Sequence, residues 1–226
     1  RPSDAADYDV TDYAFPYPPA ALYAASDFNL RDHNAGVQTF YPGQQNLYGS
    51  SGHDSEYKQI AKLDGYGTIY ATPHYLEGQT VYCLEHTMNS PGTKNNASGP
   101  FEVVDLDGYA VKPGYSGDIY RSRTMHAIGW VLRHTYPYMI VDTGYADSDV
   151  WSRVAGQFAI REVIKQLEGS QYVRDYWRMD DFYRATGQAP KEYLEYARWL
   201  AANALIYAQM TGEITVSNVS VSVANG

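Results

Sequence analysis

Hydrophobic and polar positions alternate in short stretches through the middle of the chain, as they do in β-strands. β-branched and aromatic residues fill these stretches, and Gly, Pro or Asp separates them, which favours strands over residues 57–63, 68–75 and 79–85. Residues 89–100 are mostly of turn-forming types and are predicted to form a surface loop.

Further along, hydrophobic residues recur with the period of α-helices. Asp118 is predicted to cap a first helix that a Tyr-Pro pair ends, and residues 150–167 are predicted to form a second amphipathic helix. Third and fourth helices are predicted over residues 171–186 and 190–211.

The order of these elements predicts an α+β fold in a single domain of 226 residues. Strict alternation over residues 213–223 indicates a closing C-terminal strand. A β-sandwich or barrel-like subdomain would then comprise residues of about 36–117 plus 212–225. The helical subdomain, about 118–211, is inserted into it, and residues 1–35 form an extended lead-in rich in Ala and Pro.

Composition narrows the classes of function. The net charge of −9 argues against a nucleic-acid binder, which needs a basic surface, and no apolar run approaches the roughly 20 residues that span a bilayer. The chain has one cysteine, which excludes an internal disulfide and a zinc site built from thiolates. Its 23 tyrosines are typical of extracellular binding surfaces.

The single cysteine, Cys83, lies in the third predicted strand, where pleating puts Val81, Cys83 and Glu85 on one face and Tyr82 and Leu84 on the other. A lone cysteine is most often a small buried hydrophobic residue, whereas a nucleophilic one gains from a helix N-terminus or a paired His. No recognisable motif places any of the six histidines for hydrolysis, so an intracellular thiol hydrolase is the least favoured class.

Gln157 lies in the middle of the apolar face of the second predicted helix. At about 100° per residue, four apolar residues lie within about 60° of it around the helix axis: Val150, Val154, Ile160 and Ile164. Burying an amide without partners costs about 1–3 kcal/mol, so Gln157 is expected to be hydrogen-bonded or chemically changed. Arg153 and Arg161 border the same face and are its candidate partners.

Together, Tyr82-Cys83-Leu84 and the helical Gln157 in its apolar-Gln-x-x-apolar setting resemble the thioester domains of Gram-positive surface adhesins. That family has an aromatic-Cys-apolar motif on a strand and an apolar-Gln-x-x-apolar motif on a helix, often preceded by a Tyr-Pro pair like Tyr136-Pro137. The resemblance covers residues of about 57–224. The family often has Thr before the Gln and Trp four residues after it, where this chain has Gly156 and Arg161.

The resemblance implies a bond between the two site residues, Cys83 and Gln157. The thiol would displace ammonia from the side-chain amide to give an internal thioester, which an amine then attacks. The implied protein is a single-use covalent binder and not an enzyme. It would lie on the bacterial surface, anchored to the cell wall by regions outside this fragment, and react with a Lys of a host surface or matrix protein, or with small amines in vitro.

Several further expectations concern the same chemistry. His86, three residues after the cysteine, is a candidate proton shuttle, and no cofactor or metal is expected. His74 and His86 indicate a metal only weakly, and Asp142, Asp147 and Asp149 lack the spacing of an EF-hand. The alternative function is a non-covalent, Tyr-rich module that binds protein or carbohydrate and has an inert buried cysteine.

Overall fold

The chain has an α+β fold. A computed structural model describes residues 30–33, 37–52, 58–63, 67–84, 91–92, 96–104, 122–144, 146–174 and 191–211. The expectations for Asp118, Glu85, His86 and the closing strand at 213–223 fall outside these residues.

The described strands are short and pair antiparallel throughout. In chain order they are β1 (Leu30–Asp32), β2 (Leu47–Ser51), β3 (Lys58–Leu63), β4 (Gly67–Ala71), β5 (His74–Leu76), β6 (Gln79–Val81), β7 (Ser98–Phe101) and β8 (Met139–Val141). They form a four-stranded sheet in the order β6-β5-β2-β7 and two hydrogen-bonded pairs, β3-β4 and β1-β8. Within the described ranges these sheets do not close into a barrel.

Three long helices contain most of the hydrophobic core. They are α1 (Ser122–Arg133), α2 (Ser148–Leu167) and α3 (Lys191–Thr211), with a 3-10 turn at Ser170–Tyr172 after α2. Helix α2 packs against both α1 and α3 and is buried on nearly every side. Alanines on α3, among them Ala197, Ala201 and Ala204, are fully buried, and their small side chains allow the helices to approach closely.

The structure confirms the predicted second and fourth helices, with α2 beginning two residues earlier than expected and α3 one residue later. The first predicted helix also ends before Tyr136-Pro137, at Arg133. The third was wrong in its described part, where Ser170–Tyr172 forms a single 3-10 turn and the chain then becomes extended at Val173.

The strand predictions need three corrections. The stretch 68–75 is two strands, because Thr72 and Pro73 separate β4 from β5. The predicted loop at 89–100 contains most of β7, which pairs with β2 despite its Gly and Pro. Strand β8 lies inside the part predicted to be helical, and pairs with β1 from the predicted lead-in.

A tight hairpin between β5 and β6 leads the chain toward Cys83. Its two turn residues, Glu77 and Gly78, have φ values of 47° and 79°, as a two-residue type I′ turn requires. The turn sets the register in which His74 lies opposite Val81. Strand β6 ends at Val81, so Cys83 follows two residues after the strand and not within it.

Candidate functional site

Helix α2 presents three polar side chains at four-residue spacing: Arg153, Gln157 and Arg161. Residues four apart lie on the same face of a helix, and this face is turned toward β5 at Arg153 and toward the residues that follow β6 at Gln157 and Arg161. The two arginines are deeply buried, with 6% and 2% of their surface exposed, and Gln157 is partly buried between them. This face of α2 is one wall of the candidate site.

The carboxamide of Gln157 makes two hydrogen bonds to the main chain of Cys83. The Cys83 N–H donates to Oε1 of Gln157 over 2.9 Å, and Nε2 of Gln157 donates to the Cys83 carbonyl, also over 2.9 Å. The Gln157 side chain therefore pairs both polar main-chain groups of Cys83, the N–H and the C=O. The structure brings the two predicted site residues into direct contact across 74 positions of sequence.

The residues on either side of Cys83 are also held. The Tyr82 hydroxyl donates to the carbonyl of Tyr136, and the Arg161 guanidinium donates to the carbonyl of Leu84. Desolvation raises the pKa of the Tyr82 phenol above its ordinary value, so the hydroxyl keeps its proton and remains a donor. Three consecutive residues, Tyr82 to Leu84, are thus fixed beside the helices by hydrogen bonds.

These contacts explain why the strand predicted over 79–85 ends early. A buried backbone N–H and C=O must be paired, and in a sheet a neighbouring strand provides the partners. At Cys83 the side chain of Gln157 provides both, and at Leu84 the side chain of Arg161 provides one. Side chains of α2 thus provide the hydrogen-bond partners that a neighbouring strand would otherwise provide.

The arginines do not have the partner expected for them. They were candidates to hydrogen-bond Gln157, but Arg153 donates to the Tyr75 hydroxyl over 2.9 Å and Arg161 donates to Leu84. Gln157 is instead satisfied by the Cys83 backbone. The expectation that the amide is hydrogen-bonded is correct, and the choice of partner was wrong.

The structure gives a physical reason for a glycine at position 156. A Cβ added to Gly156 would lie 2.7 Å from both Oγ1 and Cγ2 of Thr135. Thr135 is fully buried and donates a hydrogen bond to the carbonyl of Ser152 over 2.9 Å. The turn before β8 therefore comes so close to α2 at position 156 that only the hydrogen side chain of glycine fits there.

A small pocket opens beside Gln157. Its free volume of about 260 Å³ includes open solvent, and its enclosed part holds about one water molecule. It is lined by residues 71–74, by Val81 and Tyr82, and by three residues of α2, which include Arg153 and Gln157. His74, which the sequence indicates only weakly as a metal ligand, thus lines the same pocket as Gln157, and this placement was not predicted.

The structure adds little about the other candidate residues, which are the predicted proton shuttle and the candidate metal ligands. His86 lies outside the described residues. Asp142 forms an ion pair with Arg31 at 3.3 Å and accepts a hydrogen bond from the Gly144 N–H. Within the described ranges, no three His, Cys, Asp or Glu side chains converge as metal ligands do, and no helix there is both long and apolar enough to cross a membrane.

Comparisons with known proteins find no protein-family model, no curated protein and no solved structure that matches this chain. The resemblance to thioester domains accordingly remains a prediction from the sequence motifs. Chemically, the contact between Cys83 and Gln157 sets a thiol-bearing residue against a partly buried carboxamide.

Proposed function

We propose that this chain is a surface-adhesin domain in which Cys83 and Gln157 form an internal thioester that reacts with an amine of a host molecule. The observation that carries the proposal is the pair of hydrogen bonds between the Gln157 carboxamide and the Cys83 main chain. The sandwich-like β subdomain, with its C-terminal part at 212–225 and a closing strand over 213–223, is part of the same proposal.

The pair of hydrogen bonds favours bond formation through proximity. The two hydrogen bonds hold the Gln157 carboxamide against the main chain of Cys83, the residue whose side chain has the thiol. Well-oriented intramolecular reactions gain roughly 7–11 kcal/mol over their bimolecular counterparts, and an amide is a poor electrophile that needs such help. Sγ attacks Cδ, the C–N bond breaks, and ammonia leaves with the thiol proton.

The Cys83 N–H has a second role in this mechanism. As Sγ bonds to Cδ, negative charge develops on Oε1, the oxygen to which this N–H already donates. A donor aimed at a developing oxyanion lowers the barrier, and losing one such donor typically costs about 10²–10³ in rate. Cys83 would supply both the nucleophile and the stabilising donor.

In the reaction with the target, the Cys83 sulfur is the leaving group and an amine of the target is the nucleophile. A neutral primary amine attacks the Gln157 acyl carbon, the C–S bond breaks, and the products are an amide cross-link and the Cys83 thiol. The partner class is a host surface or matrix protein with an accessible Lys, and the location is the bacterial cell surface. The domain is consumed in the reaction and does not turn over.

Intact mass tests the proposal most directly. Loss of ammonia lowers the mass by about 17 Da, and titratable thiol should be nearly absent in freshly prepared protein. Cys83→Ala serves as the control and should have its full calculated mass. Full mass in the wild type, together with a titratable Cys83, would contradict the proposal.

Covalent capture tests the second half of the reaction. Wild type should add methylamine at Gln157 and, with a protein bearing a suitable Lys, give a complex that survives boiling in detergent. Cys83→Ala and Gln157→Ala should each abolish that complex while leaving reversible binding intact. A boil-resistant complex formed by the Cys83→Ala variant would refute the mechanism.

A non-covalent binding module is the second candidate, and two observations favour it. Both ends of the Gln157 amide are already hydrogen-bonded, which is also what a structural glutamine needs. In addition, exposed aromatic residues lie on or beside β2 and β7, including Tyr41, Tyr48 and Phe101. Under this alternative the wild type has full mass and binds its target reversibly.

A further inference from the structure

Among the residues that line the pocket beside Gln157, His74 is the one with an imidazole side chain. It is the first residue of β5, and the hairpin register puts it opposite Val81, two residues before Cys83. His74 and Gln157 both line the pocket, together with Tyr82 and Arg153. The hairpin and α2 thus bring an imidazole and the carboxamide to the same small space.

We infer that His74 is the proton-transfer residue of this site, taking a proton from the incoming amine and returning it to the Cys83 sulfur. The inference rests on the proposed thioester and assigns to a described residue the role that the sequence suggested for His86. It is carried by the shared pocket, by the register of the hairpin and by the partial burial of the imidazole.

The surroundings of His74 keep its imidazole neutral. Its Nδ1 atom is buried and, among the described residues, makes no hydrogen bond, so Nε2 is the nitrogen that we assign to meet a molecule in the pocket. Desolvation lowers the pKa of His74 from 6.5 to about 4; the charges of Arg161 and Arg153 add to the shift, and the carbonyl of Pro73 opposes it. A neutral imidazole has a lone pair ready to accept a proton.

The groups facing His74 suit both halves of a proton relay. Arg153 and Arg161 of α2 are cationic, and Tyr82, which lines the same pocket, keeps its phenolic proton. A base of low pKa accepts a proton only from a strong acid, and the amine nitrogen becomes such an acid when it bonds to the acyl carbon and turns cationic. Once protonated, the same imidazole is itself a strong acid and readily gives its proton to the departing sulfur.

The steps balance in atoms and charge. The amine nitrogen bonds to Cδ of Gln157 and becomes a substituted ammonium, and Nε2 of His74 removes one of its protons. The C–S bond then breaks toward sulfur, and the imidazolium gives the proton to the Cys83 thiolate. The products are the amide cross-link, the thiol and neutral His74.

The experiment compares wild type, His74→Gln and His126→Gln. His126 is an exposed histidine on α1 and serves as the matched control. Intact mass first establishes whether the wild type has the ammonia deficit; its absence would defeat the proposed function itself. With the deficit present, the rate of methylamine addition is followed by mass spectrometry.

We expect His74→Gln to react about 10²–10⁴-fold more slowly than wild type and His126→Gln to react at the wild-type rate. Imidazole added to His74→Ala should restore much of the rate, after subtraction of the reaction that imidazole causes in wild type. This rescue distinguishes proton transfer from a packing role. His74 variants that have the deficit and react at the wild-type rate would overturn the assignment and leave the thioester untouched.

Thioester formation also moves a proton, from the thiol to the leaving ammonia, so a folded His74→Ala variant without the deficit is a possible result. Such protein is then produced and incubated with imidazole, and its melting curve is compared with that of Cys83→Ala, which likewise has no cross-link between residues 83 and 157. Appearance of the deficit under imidazole supports the assignment. Persistent full mass in a variant that melts like Cys83→Ala overturns it.

Discussion

The helices and the small sheets are built in different ways. Helices α2 and α3 bury their apolar side chains almost completely, with Ile160, Leu200 and Leu205 fully inaccessible to solvent. Between residues 37 and 84, the side chains that the structure describes contribute to the same core the small Ala71 and, partly buried, Ile69, Tyr82 and Leu84. The helices therefore provide most of the core, and the described side chains of residues 37–84 add little to it.

That difference gives the two candidate site residues, Cys83 and Gln157, unequal surroundings. Gln157 projects from a helix held on nearly every side, while Cys83 lies just beyond a three-residue strand. Tyr82 and Leu84, on either side of the cysteine, pack partly buried against the helical core. Hydrogen bonds with Gln157, Arg161 and Tyr136 add to that packing and fix the segment. A helix that is buried on nearly every side thus positions the residues that follow a short strand.

The largest expected effect comes from making the same substitution in both regions. Leu200→Ala on α3 removes a fully buried side chain and should lower the free energy of unfolding by about 2–5 kcal/mol. Leu47→Ala on β2 removes a partly buried one and should cost about 1 kcal/mol. Denaturant unfolding monitored by circular dichroism measures both. Equal losses at the two sites would mean that the sheets share the core equally.

Acidification is expected to have a smaller effect and to lower the free energy of unfolding by about 3 kcal/mol at most. Because the pKa of His74 is about 4 in the folded chain and 6.5 as a reference, the unfolded chain binds more protons between these values. Stability contributed by neutral His74 is therefore complete above pH 6.5 and is lost as the pH falls toward 4. His74→Gln should flatten this part of the stability curve, and His126→Gln should not. Parallel curves for wild type and His74→Gln would rule out the buried neutral imidazole.

The smallest effect concerns the contact between α2 and the turn before β8. Gly156→Ala places a methyl group 2.7 Å from the Thr135 side chain and should cost about 1–3 kcal/mol through overpacking. Thr135→Ala removes the two atoms in conflict, so the double variant should recover part of that loss. A double-mutant cycle on melting temperature measures the coupling. Additive losses would show that the two side chains do not meet.

The helices could be predicted from sequence because their signals are local. Hydrophobic periodicity and the Gly after α2 define one helix, and Pro190 precedes the other, so the predicted bounds of α2 and α3 differ from the observed ones by at most two residues. The strands depend on partners far away in sequence. Strand β7 contains Gly99 and Pro100, and only its pairing with β2 makes it a strand.

Part of the candidate site could be predicted from sequence because its signal is local. An amide in the middle of an apolar helix face is a local anomaly, and it pointed to Gln157. The partner atoms, the N–H and C=O of Cys83, are backbone groups that no sequence pattern marks. His74 could have been found: a two-residue turn at Glu77-Gly78 sets the register that puts it opposite Val81.

One consequence follows from Gln157 holding the backbone of residue 83 and not its side chain. The docking contacts are the same whichever amino acid occupies that position, because every residue except proline has the N–H and C=O that they require. Recognition between helix and strand end is therefore separate from reactivity. A lineage could gain or lose the thiol in one codon change while the architecture persists, and a designer could place a different nucleophile at position 83 of the same scaffold.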